Sequence, residues 1–169
     1  FTVNIALMVD HQPTLGLVYT PVGKQLFIGE RGGKAQYCIG DQQLSPIQTR
    51  SFPKKEFVLL MSNRINPSVR SHIQAAWPQA QLLAMGSSLK FCTVAHGKAD
   101  IYCRRGPTSE WDTAAAQCVL EAAGGVLLGA SGKPLEYGKP DFLNGPILAC
   151  GDKNIPEEIR DEFLKFMKR

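Results

Sequence analysis

The chain has 169 residues, 44% of them hydrophobic and 20% charged, which is typical of a soluble globular protein with enough length for one sizeable core. Its longest apolar runs are far shorter than the roughly 20 residues of a membrane-spanning helix, which excludes an integral membrane segment. The net charge of +4 comes from 19 basic and 15 acidic residues. Because the basic residues are dispersed, the balance suits a small anionic ligand and does not indicate a nucleic acid polymer as partner.

The first fifty residues predict an antiparallel meander, since turn residues such as Pro13, Pro21 and Gly32-Gly33 separate short strand-like runs. An isolated meander must cover its apolar face, so we expect this sheet to pack against a further layer. The predicted strands are Phe1–Val9, Thr14–Tyr19, Lys24–Glu30 and Ala35–Ile39.

From about Phe52 strand-like and helix-like segments alternate, which predicts an α/β region. The stretch Ser45–Lys55, with two prolines, is the expected boundary between an incomplete N-terminal sheet (1–50) and a C-terminal α/β domain (51–169). The predicted strands are Phe57–Met61, Gln81–Met85, Asp100–Arg104, Val126–Leu128 and Ile147–Cys150, and the predicted helices are Pro67–Trp77, Ser88–Gly97, Thr113–Ala123 and Pro156–Lys168.

The five cysteines include no C-x-x-C pair and no histidine spaced to complete a zinc site. An odd number of cysteines without a disulfide framework favours a reducing compartment. We therefore expect a cytoplasmic protein, with a peripheral position at the inner membrane left open.

Asp112 lies where the helix Thr113–Ala123 is predicted to begin, and small alanines follow it. An aspartate at this position commonly caps a helix. Its carboxylate is also a preferred ligand of hard cations such as Mg²⁺. The local pattern alone leaves both interpretations open.

Two further stretches carry groups that suit an anion. Gly86-Ser87-Ser88 leads from a predicted strand into a helix, and Lys90 follows one turn later. Free N–H groups at such a helix start and a nearby lysine can bind phosphate, although a serine cap and a solvated lysine would give the same pattern. Arg104 ends a predicted strand, and its planar fork can hold two phosphate oxygens.

Three neighbours of these residues have no assigned role in chemistry. Arg105 is expected to be a solvated neighbour of Arg104, and Glu110 is assigned neither a structural nor a chemical role. Trp111 is expected to be a packing residue and not a stacking platform for a base.

These stretches together resemble the inositol monophosphatase family. Trp111-Asp112-Thr113-Ala114-Ala115 is similar to the family's W-D-x-A-A signature, and the G-S-S-x-K element ending at Lys90 is similar to its bisphosphate nucleotidase branch. The resemblance implies a layered αβαβα sandwich, here the C-terminal α/β region plus part of the N-terminal antiparallel sheet. It also implies that Asp112 is catalytic and ligates Mg²⁺, and that the substrate contacts are Gly86, Ser87, Ser88, Lys90, Arg104 and Asp112.

Two departures from the family pattern matter. Where nucleotidases often have S-R-S-H, this chain has Ser62-Asn63-Arg64-Ile65. The family's D-P-x-D-G-T motif and an earlier metal-binding glutamate are not in the sequence, although the opening F-T-V-N-I-A-L resembles the strand after that motif. We therefore expect the partner of this chain to be the missing N-terminal half of the same protein, and the 169 residues alone to have little or no activity.

The resemblance implies a phosphatase that removes the 3'-phosphate of 3'-phosphoadenosine 5'-phosphate, a by-product of sulfate assimilation. An inositol monophosphatase or sugar bisphosphatase is the alternative within the family. A non-catalytic anion-binding module with the same fold is the alternative of another class.

Overall fold

The computed structural model describes residues 1–53 and 55–168. Lys54 of the predicted boundary stretch and Arg169 at the end of the predicted second domain lie outside the described residues. The chain forms two five-stranded sheets, with one pair of helices between them and another pair on the far side of the second sheet. This order of layers agrees with the expected α/β sandwich.

The first sheet is an antiparallel meander in which each strand pairs with the next along the chain. Its first four strands confirm the predicted ones to within two residues at every boundary. The fifth lies in the predicted boundary stretch, where Pro46 hides the strand pattern but is tolerated because the strand lies at the sheet edge. The strands are β1 Val3–Val9, β2 Gln12–Thr20, β3 Gln25–Glu30, β4 Ala35–Ile39 and β5 Ser45–Ile47.

One side of the second sheet is parallel, because β6 (Phe57–Ser62) pairs in parallel with both β7 (Ala80–Met85), at the edge, and β8 (Ile101–Arg104). A short two-stranded sheet, which the sequence did not predict, joins β9 (Thr108–Ser109) to β11 (Leu143–Asn144). The antiparallel strands β10 (Val126–Gly129) and β12 (Ile147–Cys150) complete the second sheet beside β8.

Four α-helices cover the second sheet, all of them close to predicted positions. Between the sheets lie α2 (Leu89–Ala95) and α3 (Ala114–Ala122), and on the opposite face lie α1 (Pro67–Ala76) and α4 (Glu157–Lys168). No helix in the described part of the chain is long and apolar enough to cross a membrane.

The first sheet and α3 pack unusually close together because two glycines face the helix. A Cβ at Gly16 would overlap the carbonyl oxygen of Ala115, and a Cβ at Gly29 would overlap the Cα of Val119. Glycine is therefore required at these points by the close approach of two backbones. The resulting core joins Val18 of the first sheet to residues of the second sheet. The predicted domain boundary near residue 50 stays a prediction.

The opposite face of the first sheet is apolar and open. Strand β1 leaves Val3, Ile5 and Leu7 between 46% and 61% exposed, and Tyr19 lies opposite Val3. An αβαβα sandwich has a helical layer on this side, and the described residues contribute none.

The predicted amphipathic helix at the C-terminus is confirmed. Phe163, Phe166 and Met167 of α4 are buried against the second sheet and α1. Trp77 stacks on Phe163 with ring centroids 3.9 Å apart, and its indole N–H donates to Glu162 at 3.0 Å. This packing places α1 and α4 beside the ends of β6 and β8.

Candidate active site

A cleft opens where the three parallel strands of the second sheet end. Because parallel strands share one direction, Ser62 ends β6, the turn with Ser87 follows β7 and Arg104 ends β8 at one edge of the sheet. Such an edge is the usual ligand site of α/β proteins. The cleft has a volume of about 180 Å³, and Lys90 and Asp112 also line it.

Five of the six residues expected at the site come together in this cleft, although they are spread over 26 positions of the sequence. Gly86 is the exception, because it is exposed beside Asn63 and does not line the cleft. The five are Ser87, Ser88, Lys90, Arg104 and Asp112.

The two serines have different environments. Ser87 is exposed and adopts a φ of 55°, in the left-handed region that non-glycine residues rarely occupy. Ser88 is buried, and its hydroxyl donates to Asn4 Oδ1 at 2.6 Å and lies 2.8 Å from Thr2 Oγ1. Ser88 is the N-cap residue of α2, which begins at Leu89, as the serine-cap interpretation expects, but its side chain makes no capping hydrogen bond and instead ties the first strand to the cleft.

Lys90 is buried beneath the cleft and is not solvated. Its Nζ donates to the carbonyl oxygens of Ser87 at 2.7 Å and Met85 at 3.2 Å, and it lies 4.8 Å from the centre of the Tyr102 ring. Burial, together with a smaller effect of the nearby Arg104 guanidinium, lowers the pKa of Lys90 to about 8. Since it has no carboxylate partner within the described residues, an anion in the cleft would complete its environment.

Arg104 is held in a fixed orientation by its own turn. Its Nε donates to Gly106 O at 3.2 Å and its Nη2 donates to Pro107 O at 3.1 Å. These bonds use part of the guanidinium and leave its remaining N–H groups for a ligand. The side chain is half-buried at the cleft wall.

Asp112 ends a 3₁₀ turn, Glu110–Asp112, and does not cap the following helix. The helix α3 begins after Thr113, whose hydroxyl donates to the Glu110 carbonyl at 3.0 Å. Asp112 is exposed and lines the cleft. The capping interpretation is thus wrong, and the carboxylate is available to a ligand.

Glu110 holds the turn that carries Asp112. Its carboxylate accepts the backbone N–H of Gly138 at 2.9 Å and of Lys139 at 3.1 Å. Burial opposes ionisation of Glu110, but hydrogen bonds from the Lys139 side chain and from both backbone N–H groups outweigh it and lower the pKa. No local sequence pattern indicates this role, because residues 138 and 139 are brought in by a distant loop.

A buried polar network supports the same turn from below. The Thr113 hydroxyl accepts from Asn144 Nδ2 at 2.8 Å and lies 3.2 Å from the Tyr137 hydroxyl. The Tyr137 hydroxyl donates to Gln117 Oε1 at 2.6 Å in α3. The network fixes the start of α3 and therefore the position of Asp112 relative to Arg104.

Trp111 is largely exposed, which does not fit the expected packing residue. Its side chain is 64% exposed, and its ring centroid lies 6.4 Å from that of Phe142. Both aromatic rings lie beside a second cavity of about 360 Å³ that also contacts the inner side of β1.

Metal-ligating side chains do not cluster within the described residues. No three His, Cys, Asp or Glu side chains within residues 1–53 and 55–168 lie close enough to hold a metal ion together. Mg²⁺ is usually bound by one or two carboxylates together with waters and substrate phosphates. Asp112 offers one such carboxylate, so further ligands are needed for a complete site.

The chain is similar to curated proteins over most of its length. The chain is 39% identical over 145 residues to the 3'(2'),5'-bisphosphate nucleotidase CysQ of Shigella flexneri, covering 85% of this chain and 57% of that protein. The CysQ of Escherichia coli K12 is 38% identical with the same coverage. The chain therefore spans a little over half the length of these curated relatives.

Solved structures show the same fold. The crystal structure of CysQ from Bacteroides thetaiotaomicron has a TM-score of 0.78 and 32% identity, covering 90% of this chain and 63% of that one. An inositol monophosphatase from Zymomonas mobilis, at 21% identity, has a TM-score of 0.77 and covers 100% of this chain and 63% of that one, which supports the fold alone. The model of the inositol monophosphatase family matches residues 1–164, and the chain belongs to that family.

Proposed function

We propose that the protein is a Mg²⁺-dependent phosphatase that removes the 3'-phosphate of 3'-phosphoadenosine 5'-phosphate to give AMP and phosphate. The observation that carries the proposal is the meeting of Asp112, Lys90, Arg104 and Ser87 in one cleft at the ends of parallel strands. The similarity to proteins named as 3'(2'),5'-bisphosphate nucleotidases supports the choice of substrate.

The basic residues would hold the phosphate that is removed. Lys90 has one N–H left after its two carbonyl bonds and acts as a point charge on a phosphate oxygen. Arg104 offers its remaining N–H groups from the opposite wall. Together they withdraw charge from the phosphorus and fix its orientation while a water attacks and the bond to the ribose oxygen breaks.

Mg²⁺ supplies what the basic residues lack. Members of this family are generally metal-dependent. A bound Mg²⁺ polarises phosphate oxygens and lowers the pKa of a water. In our proposal Asp112 is one ligand, and the other carboxylates come from an N-terminal half of the same protein. The buried cysteines, all five of them free, support a reducing, cytoplasmic setting for this activity.

We expect the 169-residue chain alone to turn over 3'-phosphoadenosine 5'-phosphate with Mg²⁺ far more slowly than an intact homologue. In the full-length protein Asp112→Asn keeps the shape but removes the metal-binding charge. Since a metal contributes several kcal/mol of charge stabilisation, kcat should fall by about 100-fold or more. Lys34→Ala, which removes an exposed charge from a turn of the first sheet, is the matched control and should leave kcat unchanged.

The alternatives give other results in the same experiments. A preference for inositol monophosphate or a sugar bisphosphate, with nucleotide binding insensitive to Arg104→Ala, would favour the other phosphatases of the family. The incomplete metal ligand set within the described residues favours an anion-binding module as the second candidate. Nucleotide binding without turnover in the full-length protein would establish the module and refute the phosphatase.

A further inference from the structure

The cleft lined by Ser87, Lys90 and Asp112, here called the phosphate cleft, continues into a larger cleft between α1, α4 and the end of β8. Its volume is about 710 Å³, within the range of 300 to 1,000 Å³ that is typical of small-molecule sites. Ser62, Tyr102 and Arg104 line both clefts, so a single ligand can extend from one into the other.

The walls of the larger cleft combine an apolar floor with positive charge. Ile73, Phe166 and Met167 are buried beneath it, which suits a flat base and a sugar ring. Arg64 and Arg105 line the same cleft beside Arg104. Such a combination fits an amphipathic anion better than a purely polar or purely apolar ligand.

The arginines of this cleft are not compensated by acidic groups. Within the described residues no carboxylate lies within salt-bridge distance of Arg64, Arg104 or Arg105. Three guanidinium groups around one cavity repel one another, and an anionic ligand would remove this cost. Phosphate is the anion that the guanidinium fork matches in geometry.

Arg105 packs over an aromatic ring beside the larger cleft. It is half-buried, and its guanidinium carbon lies 5.4 Å from the centre of the Phe166 ring. A cation over an aromatic face is held in place by the ring's charge distribution. The expectation that Arg105 is only a solvated neighbour of Arg104 is therefore wrong for its position.

We propose that the larger cleft binds the nucleoside and the phosphate that is not removed, with Arg105 and Arg64 as the contacts of this second phosphate. The inference rests on the proposed function and deepens it, because it makes these two arginines the determinants of preference for nucleoside bisphosphates over nucleoside monophosphates. Arg104, at the junction, orients the two phosphates relative to each other.

The test measures binding of two probes, adenosine 3',5'-bisphosphate and adenosine 3'-monophosphate, to the chain by calorimetry in EDTA. Binding without metal reports the basic residues directly. Arg105→Gln should weaken binding of the bisphosphate about tenfold or more, as expected for one charge-assisted contact, and change binding of the monophosphate less than about twofold. Arg64→Gln should act in the same direction, and Arg70→Ala, an exposed residue of α1 that does not line the cleft, is the control.

The outcomes separate the two proposals. Equal affinity of the unaltered chain for both probes, or equal losses for both probes in Arg105→Gln and Arg64→Gln, overturns the second-phosphate site and leaves the phosphatase intact. Weak binding of both probes that Arg104→Ala does not reduce overturns both. Circular dichroism of each variant checks that it is folded. Arg64 lies on the exposed rim, so Arg64→Gln still tests the second-phosphate site if Arg105→Gln misfolds.

Discussion

Lys90 gives the sharpest prediction, because its burial should reduce stability while its charge serves the ligand. The residue is 4% exposed, and burial with the neighbouring Arg104 lowers its pKa from 10.5 to about 8. Each pKa unit corresponds to 1.36 kcal/mol, so keeping this lysine charged in the folded protein costs about 3 kcal/mol. Replacement by methionine, which has similar length and no charge, should remove this cost.

The two carbonyl oxygens that Lys90 contacts reduce the expected gain. Lys90→Met leaves Met85 O and Ser87 O without this donor, a loss of about 1 kcal/mol or slightly more. At pH 7 we therefore expect Lys90→Met to be more stable than the unaltered chain by about 1 to 2 kcal/mol, as measured by urea unfolding. The same variant should bind phosphate-containing ligands more weakly, a trade of stability for function.

The pH dependence of the free energy of unfolding tests whether the charge of buried Lys90 causes the difference in stability. Below pH 8 Lys90 is protonated in both states, and its contribution to stability is constant. Between pH 8 and 10.5 the unfolded chain keeps a proton that the folded chain has lost, so the free energy of unfolding gains about 3 kcal/mol from this residue as pH rises. Lys90→Met lacks this gain, so its stability advantage should disappear and reverse across the window.

Buried thiols and tyrosines also titrate at high pH, but they are the same in both proteins. For example, burial raises the pKa of Cys103 to about 12 and of Tyr102 to about 12. The difference in unfolding free energy between Lys90→Met and the unaltered chain cancels their effects. If this difference in unfolding free energy stays constant from pH 7 to 10.5, the inference that Lys90 is buried in its charged form is wrong.

Two further predictions concern the scaffold. Asp100 is buried and accepts two hydrogen bonds from Arg50 at 2.6 and 2.7 Å. Asp100→Asn should lower the free energy of unfolding by about 3 kcal/mol, the lower end of the range for broken buried ion pairs, because the Arg50 side chain is 43% exposed. A change below 1 kcal/mol in urea unfolding would contradict this. Gly29→Ala should cost about 2 kcal/mol or more, because its Cβ would overlap the backbone of Val119. Gly145→Ala, where a Cβ meets nothing within 4 Å, is the control, and equal melting temperatures of the two variants would argue against the close approach of β3 and α3.

The sequence predicted the elements whose signals are local. The meander is marked by turn residues, and the amphipathic helix α4 by the spacing of Phe163, Phe166 and Met167. Family motifs also indicated Asp112, Lys90 and Arg104, which the structure brings to one cleft; their chemical roles stay predictions. The short strands β9 and β11 were missed because two residues are too few to show a period.

The surroundings of the site depended on contacts that no local pattern encodes. Ser88 bonds to Asn4, 84 residues earlier, and Glu110 bonds to a loop 28 residues later. The expected packing role of Trp111 was not met, because its side chain is 64% exposed among the described residues.

The amino-acid sequence by itself determined the order of strands and helices, the family and the residues expected at the phosphate cleft, since these follow from hydrophobic periodicity and short motifs. Only the tertiary structure decided that Lys90 is buried on two carbonyl oxygens and that Arg105 lines a second, larger cleft. Burial and electrostatic environment arise from residues far apart in the chain, and folding alone brings them together.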